Sequence, residues 1–264
     1  MEPYRNNLGA QVSSLWEDAW DRVPGSKRIF LAIVLLSILA GFVAGLVSSG
    51  VHEILAVDGN GGSPLAALFS ETFAIVLAAV VGVPFVTALV AAGLERARGN
   101  PITVSIIMQN QGLWLKALVA VLAFRLLEFL LVLAVPPISL GPLFLQDSGF
   151  SLSFLLLGGV AQTLSQLALL NIVDSNASPV EAIRASFQLV IDRPLLVIIY
   201  VIAVAVSSLL IGLTFGIAAI WFIPFLQICL ALIYLRHDEP AQEPPESSAT
   251  VEEPGIDWQV DRGT

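Results

Sequence analysis

Apolar residues occur along this chain in long blocks rather than in alternation. Residues 29–51 contain no charge and are bracketed by Ser26-Lys27-Arg28 and His52-Glu53. At about 1.5 Å per residue, a helix over that block reaches roughly 34 Å, enough to cross a hydrocarbon core of about 30 Å. Similar blocks at 72–94, 113–135, 151–173, 195–213 and 215–235 bring the expected transmembrane helices to six. A tight turn, Gly212-Leu213-Thr214-Phe215-Gly216, joins the last two. The predicted fold class is all-α, a polytopic membrane helix bundle.

Three further stretches keep a helical period without an unbroken apolar run. In 8–23, Leu8, Val12, Leu15, Trp16, Ala19, Trp20 and Val23 share one face, with Ser13, Glu17, Asp18 and Asp21 opposite. This pattern predicts a helix lying in the membrane interface, its tryptophans at headgroup level. Its polar face is acidic, so apolar burial rather than lipid charge must hold it; docking to a partner is the alternative. In 178–194, Ser178 caps, Pro179 takes the first helical position, Pro194 ends the helix, and Val180, Ile183, Phe187, Val190 and Ile191 form the apolar face. The segment NPITVSIIMQNQG, from Asn100, has the same plan of polar residue, proline, short amphipathic stretch and span. The recurrence predicts a weak internal repeat relating helix pairs two-three and four-five. The alternative is that the approach to any span looks alike.

Lysine and arginine orient the bundle. With the N-terminus in the cytoplasm, Arg5, Arg22, Lys27, Arg28, Arg96, Arg98, Lys116, Arg184, Arg193, Arg236 and Arg262 lie inside, and the three outer loops contain none. Both termini are therefore predicted to be cytoplasmic. The chain divides into an amphipathic segment at 1–28, a membrane domain at 29–237 and a tail at 238–264. The N-terminal segment does not read as a signal peptide, because Glu17, Asp18 and Asp21 mix its charge and the apolar block after it is too long.

Composition sharpens this picture in two places. Charged residues make up 12% of the chain, about half the fraction of an ordinary soluble domain. The tail carries eight acidic residues and one arginine, −7 of the net −9, so it is expected to be disordered and not to bind nucleic acid. Such acidity fits a high-salt, halophilic cytoplasm. Trp258 is the tail residue most suited to partner contact.

Ionisable groups within a span are rare and face protein or water. Arg125 and Glu128, inside the third block, are spaced to pair on one helical face that Val121 and Val132 continue. Gln162 and Gln166, with Ser165 and Gly158 on the same side of the fourth block, are candidate partners. Counted from the cytoplasmic end, Arg125 lies roughly 18 Å deep and Gln162 roughly 16 Å. The functional reading is a proton, ion or headgroup site; the plainer one is a structural pair. In the first block Ser37, Gly41, Gly45 and Ser49 recur every four residues, a smooth stripe for helix packing within the bundle or for homodimerisation.

The other motifs are weaker. The loop Asp58-Gly59-Asn60-Gly61-Gly62-Ser63 resembles the start of a calcium loop, but its twelfth position is Phe69 where a glutamate is needed. Pro84 and Pro224 are expected to bend their spans and could serve as hinges. One cysteine, Cys229, and two distant histidines, His52 and His237, offer neither a disulfide nor a metal site. No cofactor is expected. No glycine-rich phosphate loop or nucleophile-base set can be assembled, so the chain is expected not to be an enzyme.

At SPVEAIRASFQLV and IPFLQICLALIYLR the chain resembles the membrane domain attached to some glycerophosphoryl diester phosphodiesterases, together with related prokaryotic multi-span proteins. The positions that carry this resemblance are Glu181, Ala182, Ile183, Arg184, Ser186, Leu189, Val190, Pro224, Tyr234 and Arg236, and it covers about 96–236. It implies a helical membrane module of a prokaryotic plasma membrane. It does not imply phosphodiesterase activity, which in that group belongs to a separate soluble barrel. The expected function is a non-catalytic module that organises lipid or docks a partner protein at the cytoplasmic face, and a homo-oligomer is compatible with it. The alternative is a carrier for a small or lipid-derived solute centred on Arg125 and Glu128.

Topology can be tested directly. With Asn60→Cys and Ser148→Cys, an impermeant thiol reagent added outside intact cells is expected to label the protein. With Asn176→Cys it is expected to do so only after lysis, and the reverse pattern rejects the orientation.

Overall fold

Every regular element in the structure, a computed structural model describing residues 8–56, 64–134, 152–214 and 216–237, is helical. α1 (Leu8–Arg22) precedes two long helices, α2 (Lys27–Ala56) and α3 (Pro64–Ala97). A single turn, α4 (Ile106–Gln109), and a 3-10 turn at Gln111–Leu113 lead into α5 (Trp114–Ala134). Then come α6 (Leu152–Ser175), α7 (Pro179–Asp192), α8 (Pro194–Leu213) and α9 (Ala219–Leu235). The acidic tail with Trp258, the calcium-like loop at 58–63 and the outer connection containing Ser148 lie outside the described residues.

Three helical stretches, Lys27–Val51, Thr72–Ala97 and Pro194–Leu213, are long and apolar enough to cross a membrane. Ala219–Leu235 is a shorter apolar helix, about 26 Å long by its 17 residues. α5 carries Lys116, Arg125 and Glu128, and α6 carries Gln162, Gln166 and Asn171, so their apolar character is interrupted. α2 and α3 run to 30 and 34 residues, about 45 and 51 Å, longer than their uncharged blocks alone require.

Four of the breaks between helices contain a residue in the left-handed region. Gly25, Gly99 and Gly216 have φ of 81°, 83° and 88°, conformations that glycine adopts without steric penalty. After α6 the same role falls to Asn176, with φ of 56°. An asparagine tolerates this region, and here its carbonyl and Oδ1 both accept from Lys116 Nζ, at 2.8 and 2.7 Å. Ser178 and Glu181 close a reciprocal capping box at the start of α7, and these hydrogen bonds hold the Glu181 carboxyl below its ordinary pKa.

α3, α6 and α9 form the centre, with α2 flanking α3 and α5 and α8 flanking α6. Burial is concentrated toward one end. It covers Val83 to Ala97 of α3, Ala161 to Ile172 of α6 and Phe225 to Tyr234 of α9, with Ala117, Ala120 and Phe124 of α5 joining them. This is the end that carries the basic residues. Toward the other end the large apolar side chains face outward, among them Phe42 and Leu46 of α2, Leu130 of α5 and Leu209 of α8.

α1 docks on this packed end. Leu15, Ala19 and Val23 are buried, and Trp16 and Trp20 meet the ring of Phe225 edge-on at 5.7 and 5.5 Å. Asp18 pairs with Arg236, and Arg22 donates to the Ala97 carbonyl. Both tryptophans keep an exposed edge. Lys27 lies over the ring of Trp221 at 5.2 Å.

Two amphipathic readings need correction. On α7 the buried residues are Ala182, Ser186 and Leu189, and Ile183 and Val190 of the expected face pack beside them, whereas Val180, Phe187 and Ile191 face out. The small side chains let α7 approach α6 closely, which turns the large ones away. The segment from Asn100 forms the single turn of α4 and part of the 3-10 turn after it, with Ile102 and Ile106 buried beside Phe30 and Ile33 of α2. It therefore does not reproduce the 14-residue α7, and the two helix pairs do not share one construction.

α3 and α9 come into close backbone contact at Gly93. A Cβ added at Gly93 would stand 2.8 Å from the Gln227 carbonyl oxygen, whereas one at Gly82 meets nothing within 4 Å. Gly93→Ala is expected to lower stability in detergent by about 1 to 3 kcal/mol through overpacking. Gly82→Ala is expected to be neutral or to stabilise by up to about 1 kcal/mol through helix propensity. Thermal unfolding of the two variants checks the contrast.

Candidate functional site

Arg125 and Glu128 stand one turn apart on α5, and Arg125 Nη1 donates to Glu128 Oε2 at 2.7 Å. Their surroundings differ. The arginine side chain is 53% exposed and the glutamate 15%. Glu128 directs its other oxygen at α6, where a Cβ on residue 158 would come within 3.1 Å of Oε1. Gly158 is thus the notch that admits the carboxylate. With Val121, Phe124, Ala161, Gln162 and Ser165, the pair lines a small cleft between α5 and α6.

The structure brings Arg125, Glu128 and Gln162 together and leaves Gln166 outside the cleft. Gln166 Oε1 instead accepts from the Tyr200 hydroxyl of α8 at 3.3 Å. No spacing argument pairs Tyr200 with either glutamine, since 34 residues separate it from Gln166. Ser165 was legible as a same-face neighbour and lines the cleft.

The stripe on α2 does not pack within the bundle. Ser37 is half-buried, Gly41, Gly45 and Ser49 are exposed, and a Cβ at Gly41 or Gly45 would meet nothing within 4 Å. Ser49 Oγ bonds back to its own helix at the Leu46 carbonyl. Phe30 and Ile33, one to two turns before the stripe, are the residues that seat α2 on Ala88, Ala91 and Ala92 of α3. Pro84 and Pro224 both lie within continuous helices.

A second polar cluster lies at the basic end. Arg98 pairs with Asp174, whose other oxygen accepts from the Tyr234 hydroxyl at 3.2 Å. The hydrogen bond to Asp174 raises the Arg98 pKa further above its ordinary value, outweighing the effect of burial. Arg96 donates to the Arg22 carbonyl at 3.0 and 2.8 Å and to that of Pro24 at 3.1 Å. Arg193 donates to the Arg236 carbonyl at 3.0 Å. These groups bind one another, and their chemistry is that of a fastening. Sequence spacing contains no signal for them, because the partners are tens of residues apart.

Comparison with protein-family models, with characterised proteins and with solved structures returns no match. The residues of the site are therefore the available guide to what it does.

Chemically, a carboxylate seated in a groove with one arginine as counterion is a clamp between α5 and α6. Arg125→Ala leaves Glu128 uncompensated and is expected to destabilise by about 3 kcal/mol, the lower end for buried pairs because Arg125 is half-exposed. Replacing both residues by leucine is expected to restore much of that loss. Thermal unfolding of both singles and the double in detergent measures the coupling; additive losses reject the clamp.

Proposed function

We propose that this chain is a six-span integral membrane protein with both termini in the cytoplasm, a non-catalytic module that organises lipid at the inner face of a prokaryotic plasma membrane. The observation that carries the reading is the outer face of α7. Val180 and Ile191 are 76% and 75% exposed, Phe187 is exposed as well, and Arg184 lies between them on the same face. An apolar helix face with a cation set into it suits the boundary between acyl chains and headgroups, where the arginine stem lies in the apolar zone and its head reaches phosphate. The half-exposed tryptophans of α1 suit the same level on another flank.

The resemblance to phosphodiesterase-associated membrane domains supports a module of this kind, because it rests partly on α7 itself. A cytoplasmic protein partner and a homo-oligomer are compatible with it, and the acidic tail extends it to a high-salt cytoplasm. The carrier reading is the weaker one: the cleft between α5 and α6 has room for about one water-sized group, far below ordinary ligand pockets of about 300 Å³ and upward.

Lipid retention is the test. Protein extracted from mixed phosphatidylcholine and phosphatidylglycerol bilayers is expected to carry bound lipid enriched in phosphatidylglycerol, measured by mass spectrometry. Val180→Asp with Ile191→Asp is expected to reduce the total. Arg184→Gln is expected to lower the phosphatidylglycerol preference about fivefold, corresponding to ~1 kcal/mol per interfacial cation. Unchanged lipid content and composition in both variants rejects the lipid reading.

A further inference from the structure

We infer that the cleft between α5 and α6 is a binding site for one neutral hydrogen-bonding group, a carbonyl or hydroxyl carried into the bilayer by an uncharged amphiphile. Charge, unfilled donors, size and depth carry the argument. Arg125 and Glu128 cancel, and the remaining polar lining, Gln162 and Ser165, is neutral, so the cleft has no net charge to offer a phosphate or carboxylate. Among the described residues, Arg125 makes one hydrogen bond, through Nη1 to Glu128, and a guanidinium has five N–H donors. Donors without acceptors are strongly unfavourable in hydrocarbon. The unused donors of Arg125 leave a place for one further oxygen acceptor.

Size narrows the occupant. The room inside the cleft is that of about one water-sized group, enough for a single carbonyl or hydroxyl oxygen and too little for a headgroup phosphate. Depth agrees with this. Arg125 lies 11 residues beyond Trp114, the first residue of α5, about 16 Å along the axis. Phospholipid headgroups do not reach that level, whereas the polar end of an uncharged amphiphile does. The cleft also opens on the outside of the bundle through the exposed side of Arg125, so the apolar part of the ligand can remain in lipid.

The assignment rests on the membrane-embedded reading above, which resistance of the protein to alkaline carbonate extraction tests separately. With the full chain in detergent, native mass spectrometry is used to titrate three probes: dioctanoylglycerol, decylbenzoquinone and dioctanoyl phosphatidylglycerol. Saturable one-to-one binding of a neutral probe, tighter than that of the anionic one, is expected, and which neutral probe binds better identifies a hydroxyl or a carbonyl source. Gln162→Leu leaves the ion pair intact and is expected to weaken neutral binding about tenfold, the loss of one hydrogen bond in a site without water. Since this variant could also disturb α6, the wild-type complex with carbonyl-labelled decylbenzoquinone or dioctanoylglycerol, whichever binds, is measured by infrared difference spectroscopy. A downshifted carbonyl or hydroxyl stretch is expected on binding. Absence of saturable neutral binding, tighter anionic binding, or an unshifted stretch overturns the assignment and leaves the cleft to water alone. A carbonate-extractable protein would overturn the underlying reading instead.

Discussion

Asp174 is the point through which the three central helices are joined. It stands near the end of α6, pairs with Arg98 just beyond α3, and accepts from Tyr234 near the end of α9. Between helices in lipid the hydrophobic effect supplies little attraction, because a neighbouring side chain is no more apolar than an acyl chain. Association then depends on close packing and on polar contacts with no better partner in the surroundings. The joint supplies the second of these at the end of the bundle that carries the basic residues. The packing around it supplies the first: Leu167, Ala168, Leu169 and Leu170 of α6 and Leu230 to Ile233 of α9 are all buried beside it.

From that end the rest of the architecture follows. α1 is held by Arg236, whose own carbonyl is held by Arg193 at the junction of α7 and α8, so the amphipathic helices form a collar around the joint. Gly93 lets α3 come against the Gln227 backbone within the same zone. Farther along the helices polar fastening is sparse, and Arg125 with Glu128 is the charged pair found there among the described residues. Its position explains its form. A carboxylate that deep needs a counterion, and Gly158 gives it a seat against the adjoining helix.

The same arrangement separates two kinds of polar group. Those of the collar bond across helices, to one another and to backbone carbonyls. Those of the α5–α6 cleft are balanced in charge but not in hydrogen bonding, since the guanidinium retains unused donors among the described residues. A group satisfied by its own fold serves structure. One left with unused donors is where a ligand has something to supply, which is why the cleft carries the ligand site while the outer face of the collar carries the contact with lipid.

The sequence by itself determined the helical class, because uninterrupted apolar blocks leave the backbone no hydrogen-bonding alternative in lipid. It also determined the start of α7, through the local chemistry of Ser178, Pro179 and Glu181, and the Arg125–Glu128 pair, since residues one turn apart need no tertiary information to meet. Which faces pack was decided only by the tertiary structure. Hydrophobicity separates inside from outside when the solvent is water, but in a bilayer both sides of a helix are apolar, and residue size takes over. Hence Ala182 and Ser186 go in while Val180 and Ile191 stay out, whereas α2 departs from the size rule: its stripe glycines are exposed and the larger Phe30 and Ile33 bind α3. Gln166 likewise meets Tyr200 and not Arg125, because long-range partners in a membrane bundle are assigned by how the helices are brought together, a choice that short-range spacing does not encode.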